Sequence, residues 1–229
     1  MIINGLQKLT LLDFPEKTAA TIFLAGCNLR CPFCHNSRLV VGEGFEKIPE
    51  EELFSYLEKR QGILDGVCIT GGEPLLREDL PEFIEKIKEL GYQVKLDTNG
   101  TFPDRLSSLL EKGLLDYVAM DIKNSPEKYA LTVGVENFDV TPVLKSIEIL
   151  KCSGVNHEFR TTLVKELHEE EDVEKMAKLL SPDSKYFLQK FVDSGEILSD
   201  GLSPLSDEIS QKYLKTAQAL VPFAQLRGI

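Results

Sequence analysis

Apolar and polar positions follow two rhythms along this chain. Residues 18–25, TAATIFLA, form a short apolar run suited to a buried strand. Similar runs recur at 67–70, 93–97, 117–121, 157–163 and 185–191. Between them the apolar residues return every three to four positions, which predicts helices over 49–60, 79–90, 103–112, 139–151, 169–180 and 206–220. Leu53, Phe54 and Leu57 share one face of the first of these, and Leu80, Phe83, Ile84, Ile87 and Leu90 share one face of the second. The acidic run Glu169, Glu170, Glu171 and Asp172 complements a helix dipole and reads as a solvated helix entry. Gly91, Gly113 and Gly154 each follow a predicted helix, where a helix end favours glycine.

This alternation predicts an α/β protein with a parallel sheet. The strand–helix units are too few for a complete eight-fold barrel. Periodicity alone leaves an open sheet and a curled partial barrel both standing. In either, ligands bind at the C-terminal ends of the strands. The chemically unusual residues fall there: Cys27 after the first strand, Gly71-Gly72-Glu73-Pro74 after the second, Asp97-Thr98-Asn99-Gly100 after the third, and Asp121-Ile122-Lys123 closing the fourth. With no repeat, low-complexity tract or linker, residues 1–229 read as a single domain.

Composition narrows the class. A chain of 229 residues buries roughly 70–75% of its unfolded surface and needs no disulfide staples. A net charge of −11 disfavours nucleic acid and anionic membranes as partners. No apolar run reaches the ~18 residues of a membrane span, and the N-terminal stretch lacks the pattern of a secretory signal. A cytoplasmic protein is expected. Five cysteines, an odd number, do not make a disulfide scaffold. Cys68, in VCIT, reads as a small buried hydrophobe.

Three of the five cysteines crowd into the loop at 26–36, GCNLRCPFCHN: Cys27, Cys31 and Cys34. A zinc site wants four ligands, and His35 directly follows Cys34, which makes joint coordination awkward. An ordinary iron–sulfur cluster wants four cysteines. Three thiolates would leave one iron open to an outside ligand, a catalytic arrangement. The glycine pair after the second strand admits a close neighbour to the backbone. Glu73 and nearby carbonyls can accept hydrogen bonds from an ammonium. Asp121 and Lys123 should share one side of a strand end. Arg160, within a strand, points to solvent or to an anionic partner. Zinc binding without catalysis remains the competing interpretation.

The spacing Cys-x-x-x-Cys-x-Phe-Cys, with Phe33 as the aromatic, followed by GGEP after the next strand, resembles the radical S-adenosylmethionine (radical SAM) enzymes. The stretch GLQKLTLLDFPEKTAATIFLAGCNLRCPFCHN, with ITGGEPLL, VKLDTNG, LLDYVAMDIK and EFRTTLV, resembles the activating enzymes of glycyl radical enzymes, in particular those of anaerobic ribonucleoside-triphosphate reductase. The resemblance covers roughly residues 1–195. It implies a (β/α)6 partial barrel of the radical SAM type, one 4Fe–4S cluster on Cys27, Cys31 and Cys34, and SAM as cofactor. It places Gly71, Gly72 and Glu73 at the SAM amino group, and the backbone of His35 at the adenine. It assigns Asp97 and Thr98 to a monovalent cation site, Lys123 and Arg160 to the SAM carboxylate, and Asp121 to orienting a hydroxyl or binding a cation. Gln189 falls near the ribose, where some relatives carry histidine. His157 and His168 are expected to be structural or exposed. The implied chemistry is one-electron cleavage of SAM to methionine and a 5′-deoxyadenosyl radical, which takes a hydrogen atom from a glycine Cα of the partner. A flavodoxin or ferredoxin would supply the electron. A pyruvate formate-lyase-like partner and a small-molecule substrate are the alternatives within the same chemistry.

Overall fold

All six expected strands form, each within a residue or so of its expected span, and two more join them. The computed structural model describes residues 1–41, 47–193 and 195–228. The strands are β1 (Gly5–Thr10), β2 (Ala19–Leu24), β3 (Gly66–Gly71), β4 (Gln93–Thr98), β5 (Tyr117–Asp121), β6 (Asn156–Leu163), β7 (Tyr186–Lys190) and β8 (Gln225–Arg227). The helices are α1 (Ser37–Val41), α2 (Glu50–Glu58), α3 (Leu80–Glu89), α4 (Pro103–Glu111), α5 (Tyr129–Val133), α6 (Thr141–Cys152), α7 (Glu170–Lys178) and α8 (Asp207–Gln218). Five of the six expected helices contract by one or two residues at an end, and α6 starts two residues later and ends one residue beyond its span. The strands β1 and β8 and the five-residue helices α1 and α5 are additions to the expected pattern.

The chain divides into two compact units. The first comprises residues 1–28, 38–98 and 104–119, the second residues 29–37, 99–103 and 120–229. In the first, β2, β3 and β4 are parallel, with Ala19 opposite Gly66 and Leu24 opposite Gly71. β1 lies antiparallel on β2, with a register shift between Gln7 and Thr10. α2 buries Leu53 and Leu57, and Phe54 meets Phe83 edge-on with ring centroids 5.8 Å apart. α3 buries Leu80, Phe83, Ile84 and Ile87. These spacings place one apolar stripe against the sheet, which is what drives both helices to form there.

In the second unit β6, β7 and β8 are parallel. Phe159, Tyr186 and Leu188 are fully buried, as are Val173 and Met176 of α7. The acidic start of α7 is not wholly solvated. Glu169 and Asp172 form a reciprocal capping box, and Asp172 is 2% exposed. Its carboxylate accepts from Ser125 Oγ and Lys128 Nζ at 2.8 and 2.7 Å. Burial of that one acid follows from its position at the third residue of the helix, where it closes the cap. The short β8 is held by Arg227, whose guanidinium forks onto Glu158 at 2.8 and 2.9 Å and stacks on the Phe187 ring.

Candidate active site

In the first unit the strand ends converge on Glu73. Gly72 N–H donates to Leu24 O and Glu73 N–H to Gly26 O, each at 2.8 Å. A Cβ at Gly72 would lie 2.0 Å from Gly26 O, and one at Gly71, whose φ is 123°, would lie 2.3 Å from Leu24 O. The close neighbour that requires this glycine pair is therefore the protein's own backbone, the segment that leads into Cys27. The Glu73 side chain is 1% exposed. Its Oε1 accepts from Leu75 N–H at 3.0 Å and Thr98 Oγ1 at 2.9 Å. Those donors keep the buried carboxyl oriented.

Asp97 and Thr98 close β4 as strand residues; the turn itself is Asn99–Thr101, where Asn99 Oδ1 accepts from Thr101 N–H and Oγ1. Asp97 Oδ2 accepts from Thr70 Oγ1 at 3.1 Å. Its Oδ1 pairs with the Lys95 ammonium, which lies 3.7 Å from Cys68 Sγ. Lys95 has a 2% exposed side chain and was no part of the expected site.

The second unit holds Cys31, Phe33, Cys34 and His35. Cys34 N–H donates to Cys31 O at 3.1 Å, a tight turn that brings the two thiols onto one loop. Arg30 N–H donates to Val133 O at 2.8 Å and Ser199 N–H to Pro32 O at 3.1 Å, so the loop is tied at both shoulders. Gly134 ends α5 at φ 64°, and a Cβ there would lie 2.3 Å from Arg30 O. Phe33 is buried, with Lys123 Nζ 5.9 Å from its ring centroid. The exposed His35 stacks on Phe191 at 5.5 Å, and burial of part of the ring followed by the nearby Lys123 charge lowers its pKa.

Asp121 and Lys123 share a side, as their spacing predicts, and pair at 2.8 Å. Arg160 Nε donates to the other Asp121 oxygen at 2.9 Å. Asp121 is thus one anionic partner of Arg160 in this structure. Burial opposes ionisation of Asp121, but Arg160 and Lys123 outweigh it and hold the carboxyl well below its usual range. Burial likewise opposes the Lys123 charge, and the Asp121 carboxylate outweighs that and raises its pKa. Two cations meet on this one carboxylate. His168, 2% exposed, fixes this strand end: its Nε2–H donates to Lys123 O at 2.8 Å, while Nδ1 accepts from Val164 N–H at 3.1 Å. His157 is half-buried and hydrogen-bonds Val155 O. Gln189 is half-buried in β7, opposite Thr162 and Arg227.

The donor set suits iron–sulfur ligation. None of the five cysteines forms a disulfide; Cys68 is buried and Cys152 exposed. Burial pushes the Cys34 thiol up, while Asn36 N–H and Lys123 work in the opposite direction. A coordinated iron would remove that proton outright. Among the described residues no three His, Cys, Asp or Glu side chains crowd together as a one-ion site would require. A cluster takes one thiolate per iron and spreads its ligands further apart.

In the first unit the glycine turn ends β3, and in the second the cysteine loop carries Cys31 and Cys34 and the Asp121–Lys123 pair closes β5. The family model of the radical SAM superfamily matches residues 21–180. A provisionally named glycyl-radical enzyme activating enzyme of Methanocaldococcus jannaschii is 37% identical over 83% of this chain and 80% of its own length. The pyruvate formate-lyase-activating enzyme of Listeria monocytogenes is 36% identical over 47% of this chain and 48% of its own. The crystal structure of a radical SAM methyltransferase from Sphaerobacter thermophilus superposes with a TM-score of 0.73 at 14% identity, over 96% of this chain and 68% of that one. This chain belongs to the radical SAM superfamily and, within it, to the glycyl-radical enzyme activating enzymes. The α/β partial-barrel class expected from the sequence is that family's fold, and a 4Fe–4S cluster and SAM are its cofactors. Among the described residues no helix is long and apolar enough to cross a membrane.

Proposed function

We propose that this protein, acting as one radical SAM domain over residues 1–229, installs the glycyl radical of an anaerobic ribonucleoside-triphosphate reductase. The observation that carries the site is the meeting of two cations, Lys123 and Arg160, at the Asp121 carboxylate, with Lys123 also over the Phe33 ring of the cysteine loop. Cationic side chains beside that loop suit the carboxylate of SAM. Cys27, Cys31 and Cys34 would hold the cluster, which when bound supplies the electron for cleavage of the SAM sulfonium. Gly71, Gly72 and Glu73 would receive the amino group: the turn is rigid, and Glu73 is already oriented by Thr98 and Leu75. His35 with its Phe191 stack would flank the adenine, and Gln189 would lie toward the ribose. These residues position the cofactor; the radical chemistry is the cofactor's own.

The choice of the reductase rests on the sequence likeness along residues 1–195. The similarity to a pyruvate formate-lyase-activating enzyme supports a lyase-like partner as the second reading. A flavodoxin or ferredoxin is the proposed electron donor, and the cytoplasm the proposed compartment. The monovalent cation assigned by resemblance to Asp97 and Thr98 does not fit the side chains present there. The test is anaerobic: reconstitute the protein with iron and sulfide, reduce it, add SAM, and quantify 5′-deoxyadenosine with each candidate partner. A glycyl EPR signal on the reductase, with matching 5′-deoxyadenosine, is the expected result. A signal only on the lyase transfers the assignment to the second reading. SAM cleavage that yields a signal on neither overturns both.

A further inference from the structure

We propose that Lys95 is the resident cation of the Asp97 site, so that this enzyme binds SAM without an exogenous monovalent cation. Lysine is among the residues least often fully buried, and it is so only when paired. Lys95 lies within β4, two residues before Asp97, so both side chains emerge on one face of the strand. Its ammonium ends on Asp97 Oδ1 and lies 3.7 Å from Cys68 Sγ. The other Asp97 oxygen is engaged by Thr70 Oγ1 at 3.1 Å. The Thr98 hydroxyl donates its proton to Glu73 at 2.9 Å, which commits that side chain to the glycine turn. A small cation bound through Asp97 and Thr98 would therefore meet a carboxylate that already carries an ammonium. Two positive charges on one carboxylate, beside a side chain with 2% exposure, repel where little solvent screens them. A tethered ammonium also differs from a bound ion in kind: its occupancy does not depend on the salt outside.

The inference rests on the family's SAM pocket and not on which glycyl radical enzyme is the partner, so its test needs no partner. SAM dissociation constants are measured by equilibrium dialysis on the cluster-loaded protein in sodium, potassium and tetramethylammonium chloride, with a thallium NMR titration on the same sample. The expected result is one dissociation constant in all three salts and no thallium site that SAM strengthens. Binding about tenfold or more tighter in sodium or potassium, or one thallium ion taken up per chain with SAM, overturns the proposal. In Lys95→Met, verified as folded by circular dichroism, SAM binding should weaken about tenfold in tetramethylammonium and recover in potassium. Unchanged binding, or a loss that no cation restores, also overturns it. Should that variant fail to fold, the salt series and the thallium titration on the unmodified protein decide alone.

Discussion

Lys95-Leu96-Asp97 at the end of β4 and Asp121-Ile122-Lys123 at the end of β5 carry a lysine and an aspartate around one aliphatic residue, in opposite order. Each puts an acid and a lysine on one face of a strand with a buried aliphatic residue between them. The cations that meet each carboxylate differ. Lys95 Nζ ends on one Asp97 oxygen and the Thr70 hydroxyl on the other. Asp121 takes both Lys123 and Arg160. Of the two lysines Lys95 is 2% exposed and Lys123 16%, and of the two carboxylates Asp97 is 16% exposed and Asp121 27%. The pair on β4 therefore lies deeper than the group at the end of β5. Near-identical tripeptides thus do different jobs, and the residue supplied by another strand decides which.

The contrast can be broken most forcefully at the deeper pair. Lys95→Met leaves the partly buried Asp97 carboxylate without that ammonium, and urea unfolding should show a loss of about 3 kcal/mol. Lys123→Met leaves Arg160 on Asp121 in a wetter place and should cost less than half as much. Equal losses in the two variants would remove the distinction drawn above. Ligand affinity should show the reverse order. Arg160→Met or Lys123→Met removes one of the two cations at Asp121 and should weaken SAM binding about tenfold or more by equilibrium dialysis, because a charged hydrogen bond contributes about 1.5–3 kcal/mol. Gly134→Ala tests whether the cysteine loop needs its support. A Cβ 2.3 Å from Arg30 O in a left-handed residue should cost about 2 kcal/mol, with weaker retention of the cluster's visible absorbance.

The smallest effect is that of pH. Burial lowers the pKa of His168 from its ordinary 6.5, so the folded protein keeps this ring neutral while the unfolded chain takes up a proton. The stability it contributes is complete above 6.5 and is lost as pH falls below, by up to ~1.4 kcal/mol per pH unit. Asp121 behaves differently. Its carboxyl is held low, so its contribution persists until strongly acid pH. Urea unfolding between pH 7.5 and 5 should therefore lose stability in the native protein and much less in His168→Gln. An identical slope in both would place the titration elsewhere.

Much of the site is legible in the sequence because its residues sit where strands end, and strand ends are marked by apolar runs that stop. The Asp121–Lys123 pairing follows directly from period-two alternation. The same rule applied to VKLD finds Lys95 with Asp97, but a lysine in an apolar run reads as a surface residue until burial is known. The partner of Arg160 depends on which strands are neighbours, which no local pattern encodes. β1 is hidden because half its residues, Gln7, Lys8 and Leu9, are exposed and two of those are polar, and the three-residue β8 is too short to show a period; its anchor, Arg227 on Glu158, links residues 69 positions apart. The glycine pair at 71–72 was legible as a close approach, but not that the approaching group is the backbone entering the cysteine loop.

Among the described residues β1 has β2 as its only neighbour in the sheet order, and its outer edge would ordinarily invite another strand. The register shift between Gln7 and Thr10 breaks the ladder, Lys8 places a charge on it, and the Tyr56 hydroxyl takes up the Lys8 carbonyl. An incoming chain finds an interrupted, charged template, so the sheet resists growth into aggregates when the protein is held concentrated during anaerobic loading.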